Sequence, residues 1–207
     1  MQIRQAEQHM QTSLRGIAER AKGNSKHKFG NLYSLLNEEN LRWCFTQLNK
    51  KSAPGVDAVD YAKFETDLEN NIGQICKDLK EKKYKAKLVR RRYIPKLGGA
   101  FRPLGIPVIG DKIVQKAVAM ILTAIFEQDF LPSSHGYRLR KGPQKAALEL
   151  SRKIHRGRYG WVLDADIKGF FDNIDHDWLM KMLAQRINDR SMLNLIRKWL
   201  KAGKRRV

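Results

Sequence analysis

The sequence is poor in cysteine and has no long apolar run. Its two cysteines, Cys44 and Cys76, lie far apart in segments of helical periodicity. This favours buried free thiols in a reducing cytoplasm, although the sequence alone leaves a disulfide open. The most apolar segment, 113–126, is interrupted by Gln115 and Lys116, whereas a bilayer-spanning helix needs about 18–20 apolar residues. The N-terminus also lacks the apolar stretch of a signal peptide, so we expect no membrane partner.

Acidic residues are scarce. The 207 residues include 21 Asp and Glu against 41 Lys and Arg, which gives a net charge of +20. Such a charge favours a polyanionic partner, nucleic acid first and an anionic membrane surface second. Hydrophobic residues make up 42% of the chain, enough for a folded protein with its own core. A basic protein of the ribosomal type would explain the charge equally well, so composition alone names no activity.

Apolar periodicity predicts a mostly helical α+β chain. We expect helices from the N-terminus to Gly23, over 38–50 and over 61–82, then four more that open at Asp111, Pro143, Asp175 and Asp189, the last ending at Gly203. Two short extended runs in 88–108, around Gly98 and Gly99, predict a basic hairpin. The segment WVLDADI, residues 161–167, predicts a buried strand.

Five aspartates lie between Val162 and Leu179. Asp164 and Asp166 are two residues apart, so on a strand they share one face, where their charges would repel each other without a cation. Mg²⁺ prefers oxygen ligands and needs only one or two protein carboxylates, and the backbone carbonyl of Ile167 could add a third oxygen. The other three aspartates, Asp172, Asp175 and Asp177, fit ordinary turn and cap positions.

Lys96 and Arg102 flank the glycine pair of the hairpin. If an odd number of residues forms the loop, these two side chains fall opposite each other on one face. An ammonium and a forked guanidinium together suit a triphosphate, and the glycines let the backbone approach phosphates closely. Arg90, Arg91 and Arg92 precede them, with Arg90 and Arg91 on opposite faces. A solvated charged hairpin is the simpler alternative for this stretch.

Four motifs in this order resemble bacterial group II intron reverse transcriptases, which are intron-encoded maturases. The motifs are SAPGVDAVD (52–60), YIPKLGGAFRPLGIPVIGDKIVQKAV (93–118), SSHGYRLRKG (133–142) and VLDADIKGFFDNIDH (162–176). The resemblance covers roughly residues 38–203. It implies a right-hand polymerase fold, with an N-terminal extension and lid-like loop in 1–37, fingers in 38–157 and the first part of the palm, with an acidic strand, in 158–207. Retron-type reverse transcriptases are the nearest competing family.

The resemblance assigns roles to individual residues. Asp166 matches the first catalytic, metal-binding aspartate, and Ile167 matches the residue whose carbonyl also binds the metal. Phe171 matches the position that excludes a 2′-hydroxyl, since a ring fills that space without offering a donor. The remaining matches concern the triphosphate of the incoming dNTP, at Lys96, Arg102, Gly169 and Phe170, and the RNA template. Candidate template contacts are the cations Lys26, Lys28, Arg90, Arg91 and Arg92.

The family's second catalytic element is a tyrosine-x-aspartate-aspartate hairpin, and this sequence contains no adjacent aspartate pair. We therefore expect the chain alone to be inactive and to bind Mg²⁺, or Mn²⁺ in its place, only weakly. The expected partners are group II intron RNA, a template with its primer–cDNA duplex and dNTP in a bacterial cytoplasm, with a homodimer left open. The alternative is an RNA-binding maturase module that promotes splicing without catalysis by this chain.

Overall fold

The computed structural model describes residues 2–95, 99, 101–157, 159–202 and 204–205, and side chains within that set except those of residues 2–6, 204 and 205. The elements follow the order α1 (Gln2–Gly23), α2 (Glu38–Thr46), α3 (Tyr61–Glu65), α4 (Leu68–Lys80), β1 (Val89–Pro95), β2 (Phe101–Ile106), α5 (Ile109–Phe126), α6 (Pro143–His155), α7 (His176–Leu183), α8 (Arg190–Lys201) and β3 (Lys204–Arg205). Short 3₁₀ helices lie at Leu32–Leu35 and Phe170–Asp172. The mostly helical α+β prediction is confirmed. Among the described residues, no helix has the length and apolar character needed to cross a bilayer.

The core is built around α5. Its apolar residues recur every three or four positions, so Ile113, Ala117, Ile121 and Ile125 form one fully buried stripe. Helices α1, α2 and α4 pack against this helix. The stripe therefore joins the N-terminal extension to the helices that precede the hairpin.

Both cysteines are buried in this core as free thiols, as predicted. Cys44 lies on α2 and Cys76 on α4. Burial raises the pKa of each thiol to about 12. The thiolate, which is the reactive form, is therefore scarce at neutral pH, and both side chains act as small apolar core residues.

Three predicted helices differ in their bounds, and the first of them, expected over 38–50, ends at Thr46. The expected 61–82 helix is divided into α3 and α4, because Asp67 leaves the helical conformation at φ −130°, ψ 45°. Helix α5 begins at Ile109, so Asp111 lies inside its first turn instead of capping it. The Asp111 carboxylate accepts hydrogen bonds from the Tyr84 hydroxyl and from the backbone N–H of Lys87. Burial raises the pKa of Asp111, and these two hydrogen bonds oppose that rise.

The predicted starts of the three C-terminal helices are confirmed. Pro143 opens α6, and the side chains of Asp175 and Asp189 cap α7 and α8 by accepting backbone N–H bonds. The inward-facing prediction for α6 is wrong, since no residue of α6 is buried, and Leu150 and Ile154 are exposed. The apolar periodicity predicted which face of α6 is apolar, but no other described element covers that face. Helix α8 extends to Lys201, and Gly203, the predicted end of this helix, lies outside the described residues.

Candidate functional site

The hairpin forms as an antiparallel pair of β1 and β2, and β3 adds a short parallel edge to β1. Arg90 pairs with Ile106 and Arg91 with Gly105, so these two arginines lie on opposite faces, as predicted. Arg102 stands opposite Ile94. The predicted placement of Arg102 opposite Lys96 is therefore wrong, because the partner of Arg102 on β1 lies two residues before Lys96. Lys96 and Gly98 themselves lie outside the described residues.

The first motif, SAPGVDAVD, holds the end of the hairpin in place. Lys112 on α5 donates from Nζ to the Ser52 hydroxyl at 3.1 Å and to the Ala53 carbonyl at 2.8 Å. Gly55 then packs so closely on Val108, between β2 and α5, that a Cβ at this glycine would lie 2.7 Å from the Val108 backbone. The motif thus fixes the junction at which the hairpin leaves the core.

Replacing Gly55 with alanine is expected to destabilise the chain by about 1–3 kcal/mol, because backbone atoms must shift to admit the methyl group. The midpoint of urea unfolding measures this change. Gly73, inside α4, is the matched control, since a Cβ there meets nothing within 4 Å. Gly73→Ala should stabilise the chain by about 0.5–1 kcal/mol, because glycine is a poor helix former. Equal effects at the two glycines would contradict the packing role of Gly55.

The acidic segment departs from its prediction. Residues 161–167 form no strand and are exposed, with Trp161 at 95% and Leu163 at 91% relative accessibility. The buried acidic strand is therefore wrong for this chain. A strand needs a neighbour to pair its backbone groups, and no described strand lies beside this segment. Asp164 and Asp166 both face solvent, and the described residues contain no cluster of three His, Cys, Asp or Glu side chains suited to a metal.

A tight turn follows Asp166. Gly169 adopts φ 65°, ψ 30°, a left-handed conformation that glycine tolerates best. The Phe170 N–H donates to the Ile167 carbonyl at 3.3 Å, and Asn173 donates from its side chain to the Gly169 carbonyl at 2.9 Å. The Ile167 carbonyl, the predicted metal ligand, keeps a second lone pair. The backbone thus folds the DIKGFF motif into one compact, exposed turn.

The third and fourth motifs meet at this turn. The Tyr137 ring of SSHGYR lies edge-on to the Phe171 ring, with centroids 6.2 Å apart, and Phe170 lies 5.4 Å from Phe171. No role was predicted for Tyr137, and the order of the motifs was the only signal that the two segments belong together. Among the described residues, no hydrogen bond or ion pair joins Asp166 to the hairpin.

Arg138 is a second residue of SSHGYR that sequence reasoning missed. Its guanidinium bonds to Glu127 and to the carbonyls of Leu131 and Ser134, at distances of 2.7–3.0 Å. These bonds tie the loop before α6 back to the end of α5. Tyr137 therefore projects from an anchored loop, with its own backbone in the left-handed region at φ 55°.

Loop 23–31, the predicted lid, is held in place by the segment between α7 and α8. Phe29 is buried, and its backbone N–H and carbonyl pair with Arg186 and Asn188 at 2.8 Å. The buried Arg186 guanidinium also donates to three carbonyls of the N-terminal segment, those of Ala21, Asn24 and His27. Lys26 and Lys28, the predicted template contacts, remain exposed. The loop thus presents two lysines from a fixed backbone.

The family model described as "Reverse transcriptase (RNA-dependent DNA polymerase)" matches residues 94–207, which include β2, the SSHGYR loop and the DIKGFF turn. This chain belongs to the reverse transcriptase family. Among its relatives, "Group II intron-encoded protein LtrA" of Lactococcus lactis subsp. cremoris is 42% identical over 136 residues, 65% of this chain and 22% of that protein. "Protein YkfC" of Escherichia coli K12 is 36% identical over 163 residues, 75% of this chain and 42% of that protein.

A yeast relative extends the same pattern. The "Putative COX1/OXI3 intron 1 protein" of Saccharomyces cerevisiae is 36% identical over 132 residues, 64% of this reverse transcriptase chain and 16% of that protein. The resemblance to group II intron reverse transcriptases and maturases is therefore confirmed. In each of these three matches, the aligned region spans less than half the length of the relative.

Proposed function

We propose that this chain is the fingers and the first part of the palm of a group II intron RNA-directed DNA polymerase. The observation that carries the proposal is the exposed turn from Asp166 to Phe171, which lies inside the family match and rests against the SSHGYR loop. In this proposal the turn faces the incoming nucleotide, and the basic hairpin approaches its phosphates. The intact polymerase works in a bacterial cytoplasm.

The residues present fit a magnesium ion that shares its ligands with water and substrate. Asp166 is exposed, and its carboxylate makes no hydrogen bond or ion pair within the described part of the chain. The Ile167 carbonyl keeps one lone pair toward a second bond, and both are hard oxygen donors. When bound, Mg²⁺ or Mn²⁺ would stabilise charge on the transferring phosphoryl group. One carboxylate of this kind binds the ion weakly, so the chain alone is proposed to be inactive in DNA synthesis.

The triphosphate is proposed to bind between the hairpin and the turn. Arg102 is exposed on β2, and Lys96 is assigned to the same phosphates through the family motif. The backbone N–H groups of Gly169 and Phe170 complete this set, and the Phe170 N–H would exchange its long 3.3 Å bond with Ile167 for a phosphate oxygen. All of these hydrogen bonds would have a charged phosphate oxygen as acceptor, and hydrogen bonds with a charged partner are stronger than neutral ones.

Replacing Arg102 with alanine is expected to raise the KM for dNTP about 10- to 100-fold, because a charge-assisted hydrogen bond contributes about 1.5–3 kcal/mol. Steady-state primer extension measures this change, in a protein that joins the chain to a segment carrying the family's Asp-Asp hairpin. Arg15→Ala is the control, since Arg15 is an exposed arginine of α1. A loss of RNA affinity with an unchanged KM would move Arg102 from the nucleotide site to the RNA surface.

Phe171 is proposed to exclude the 2′-hydroxyl of a ribonucleotide. Phe171 is 68% exposed, and Tyr137 lies against one side of its ring. In the same extended protein, Phe171→Ala should narrow the preference for dNTP over rNTP by roughly tenfold or more, measured as the ratio of the two kcat/KM values. Trp178→Ala, another exposed aromatic residue, should leave that ratio unchanged. Unchanged selectivity in Phe171→Ala would remove this residue from the nucleotide site.

RNA is the proposed polyanionic partner. Lys26 and Lys28 on the anchored loop and Arg90, Arg91 and Arg92 on β1 supply cations for the template, its primer–cDNA duplex and intron RNA. The net charge of +20 also favours the second candidate function, an RNA-binding maturase module that needs no metal site. A homodimer is a further proposal, supported by the exposed apolar residues of 159–171.

A further inference from the structure

Three surface cavities of about 660, 510 and 500 Å³ adjoin α8, and their combined lining is called the α8 groove below. Tyr33, Lys82 and Ser191 line both the first and the second cavity, and Asn194 and Arg197 line both the second and the third. None of the residues assigned above to nucleotide, metal or template lines this groove.

The groove is strongly cationic. Its basic lining residues are Lys80, Lys82, Lys181, Arg190, Arg197, Lys198 and Lys201. Within the described part of the chain, none of them forms an ion pair. The acidic lining residues are Asp177 and Asp189, and both carboxylate oxygens of Asp189 already accept backbone N–H bonds, from Tyr33 and Met192. The lining therefore keeps a net positive charge directed at solvent.

Helix α8 sets part of this charge in a row. Arg190, Asn194, Arg197 and Lys201 are all exposed and recur at intervals of four, three and four residues, so they form one stripe about 16 Å long. The opposite face of α8 is buried through Met192, Leu195 and Ile196. The stripe is thus carried by a helix that is packed into the core, and its spacing is fixed before any partner binds.

The chemistry of the lining suits a sugar–phosphate backbone better than unstacked bases. Tyr33 is the one aromatic residue among the described lining residues, and the Lys82 ammonium covers its ring at 3.7 Å from the centroid. The Tyr33 hydroxyl is also engaged, since it donates to the Leu79 carbonyl at 3.0 Å. Single-stranded RNA is usually held by stacking on open aromatic rings, which this groove does not offer.

Amide and hydroxyl side chains also line the three cavities. They are Asn31, Ser34, Asn37, Asn188, Ser191 and Asn194. Such groups can donate to and accept from a 2′-hydroxyl, which distinguishes an RNA helix from a DNA helix in the shallow minor groove.

We propose that the α8 groove binds a double-stranded segment of structured RNA through its phosphates and 2′-hydroxyls. This inference rests on the proposed function insofar as the partner is RNA. It adds a second RNA surface, which includes Asn31 but neither the hairpin nor Lys26 and Lys28 of the N-terminal loop. Binding here would hold a base-paired RNA stem to the protein while the other surface faces the template.

The test uses the 207-residue chain and a 20-base-pair RNA stem, with a single-stranded RNA and a DNA duplex of the same length as competitors. The groove variant combines Arg190→Gln, Arg197→Gln and Lys201→Gln. It should weaken stem binding roughly tenfold or more near physiological salt and lower the slope of log affinity against log salt by about 2 to 3, close to one unit per lost phosphate contact. The control combines Lys51→Gln, Lys63→Gln and Lys77→Gln, which removes three exposed cations that lie outside the groove lining.

A second variant, Asn194→Glu, places a negative charge in the middle of the stripe and removes no cation. It should weaken stem binding severalfold while the melting temperature stays unchanged. Groove and control variants with equal affinity for the stem would overturn the proposal. So would a loss that is equal for the stem, the single strand and the DNA duplex. A wild-type chain that binds no RNA at all would instead refute the proposed function itself.

Discussion

Asp166→Ala is expected to reduce DNA synthesis by at least about 10³-fold in a protein that joins this chain to a segment carrying the family's Asp-Asp hairpin. A metal ion contributes several kcal/mol to stabilising the charge of phosphoryl transfer, and each 1.36 kcal/mol is a factor of ten in rate. Primer extension on an RNA template measures the loss. The chain alone lacks the aspartate pair and should be inactive in the same assay.

The surroundings of Asp166 make this variant easy to interpret. Because the side chain is exposed and unbonded within the described residues, its loss should cost little folding free energy and spare RNA binding. Asp166→Asn keeps the size of the side chain and should be nearly as inactive, which separates charge from shape. Asp175→Ala is the control, since it removes the cap of α7, costs about 1 kcal/mol of stability and should preserve synthesis. Synthesis that survives in Asp166→Asn would refute the metal assignment.

The elements that could be predicted are those fixed by neighbouring residues. Asp175 and Asp189 cap their helices through backbone groups two or three residues away, and Pro143 opens α6 through its own fixed φ. The hairpin likewise follows from β-favouring residues on each side of a glycine pair. In each case the information lies within a few residues of the feature that it determines.

The predictions that were wrong depend on which other part of the chain pairs with a segment. An apolar run such as 161–167 is a strand only when another strand pairs with it, and the pattern cannot supply that neighbour. The register of the hairpin was also hard to predict. The observed pairing places Arg102 opposite Ile94, two residues away from the predicted partner. For the candidate site, the motif letters marked Asp166 and Phe171 as candidates, but the contact between Phe171 and Tyr137 could be seen only in the folded chain.

Arg186 shows the same limit most clearly, and replacing it should have the largest effect on stability. Its partners lie far away in sequence, at Ala21, Asn24 and His27 in the N-terminal segment and at Asp129 after α5. The side chain is buried, and its Nε lies 3.0 Å from the Asp129 carboxylate. No local pattern marks an arginine between two helices as the junction of three distant segments.

Arg186→Ala is expected to lower the free energy of unfolding by about 3–5 kcal/mol, because three carbonyls lose their hydrogen-bond donor and the Asp129 carboxylate loses its ion-pair partner. Arg186→Lys should recover only part of this loss, since an ammonium lacks the planar fork of donors that reaches several carbonyls at once. Urea unfolding of the 207-residue chain measures both variants. Proteolysis should also cut first within 23–31, where the anchor is lost.

Arg15→Ala is the matched control, because Arg15 forms an exposed ion pair with Glu19 one turn along α1. Exposed pairs contribute little, so this variant should change stability by no more than about 0.5 kcal/mol. If Arg186→Ala behaved like Arg15→Ala, loop 23–31 would be held by the Phe29 backbone pairing alone. The two lysines of that loop, proposed to contact the template, would then keep their position without the guanidinium, and Arg186 would have no part in presenting them to RNA.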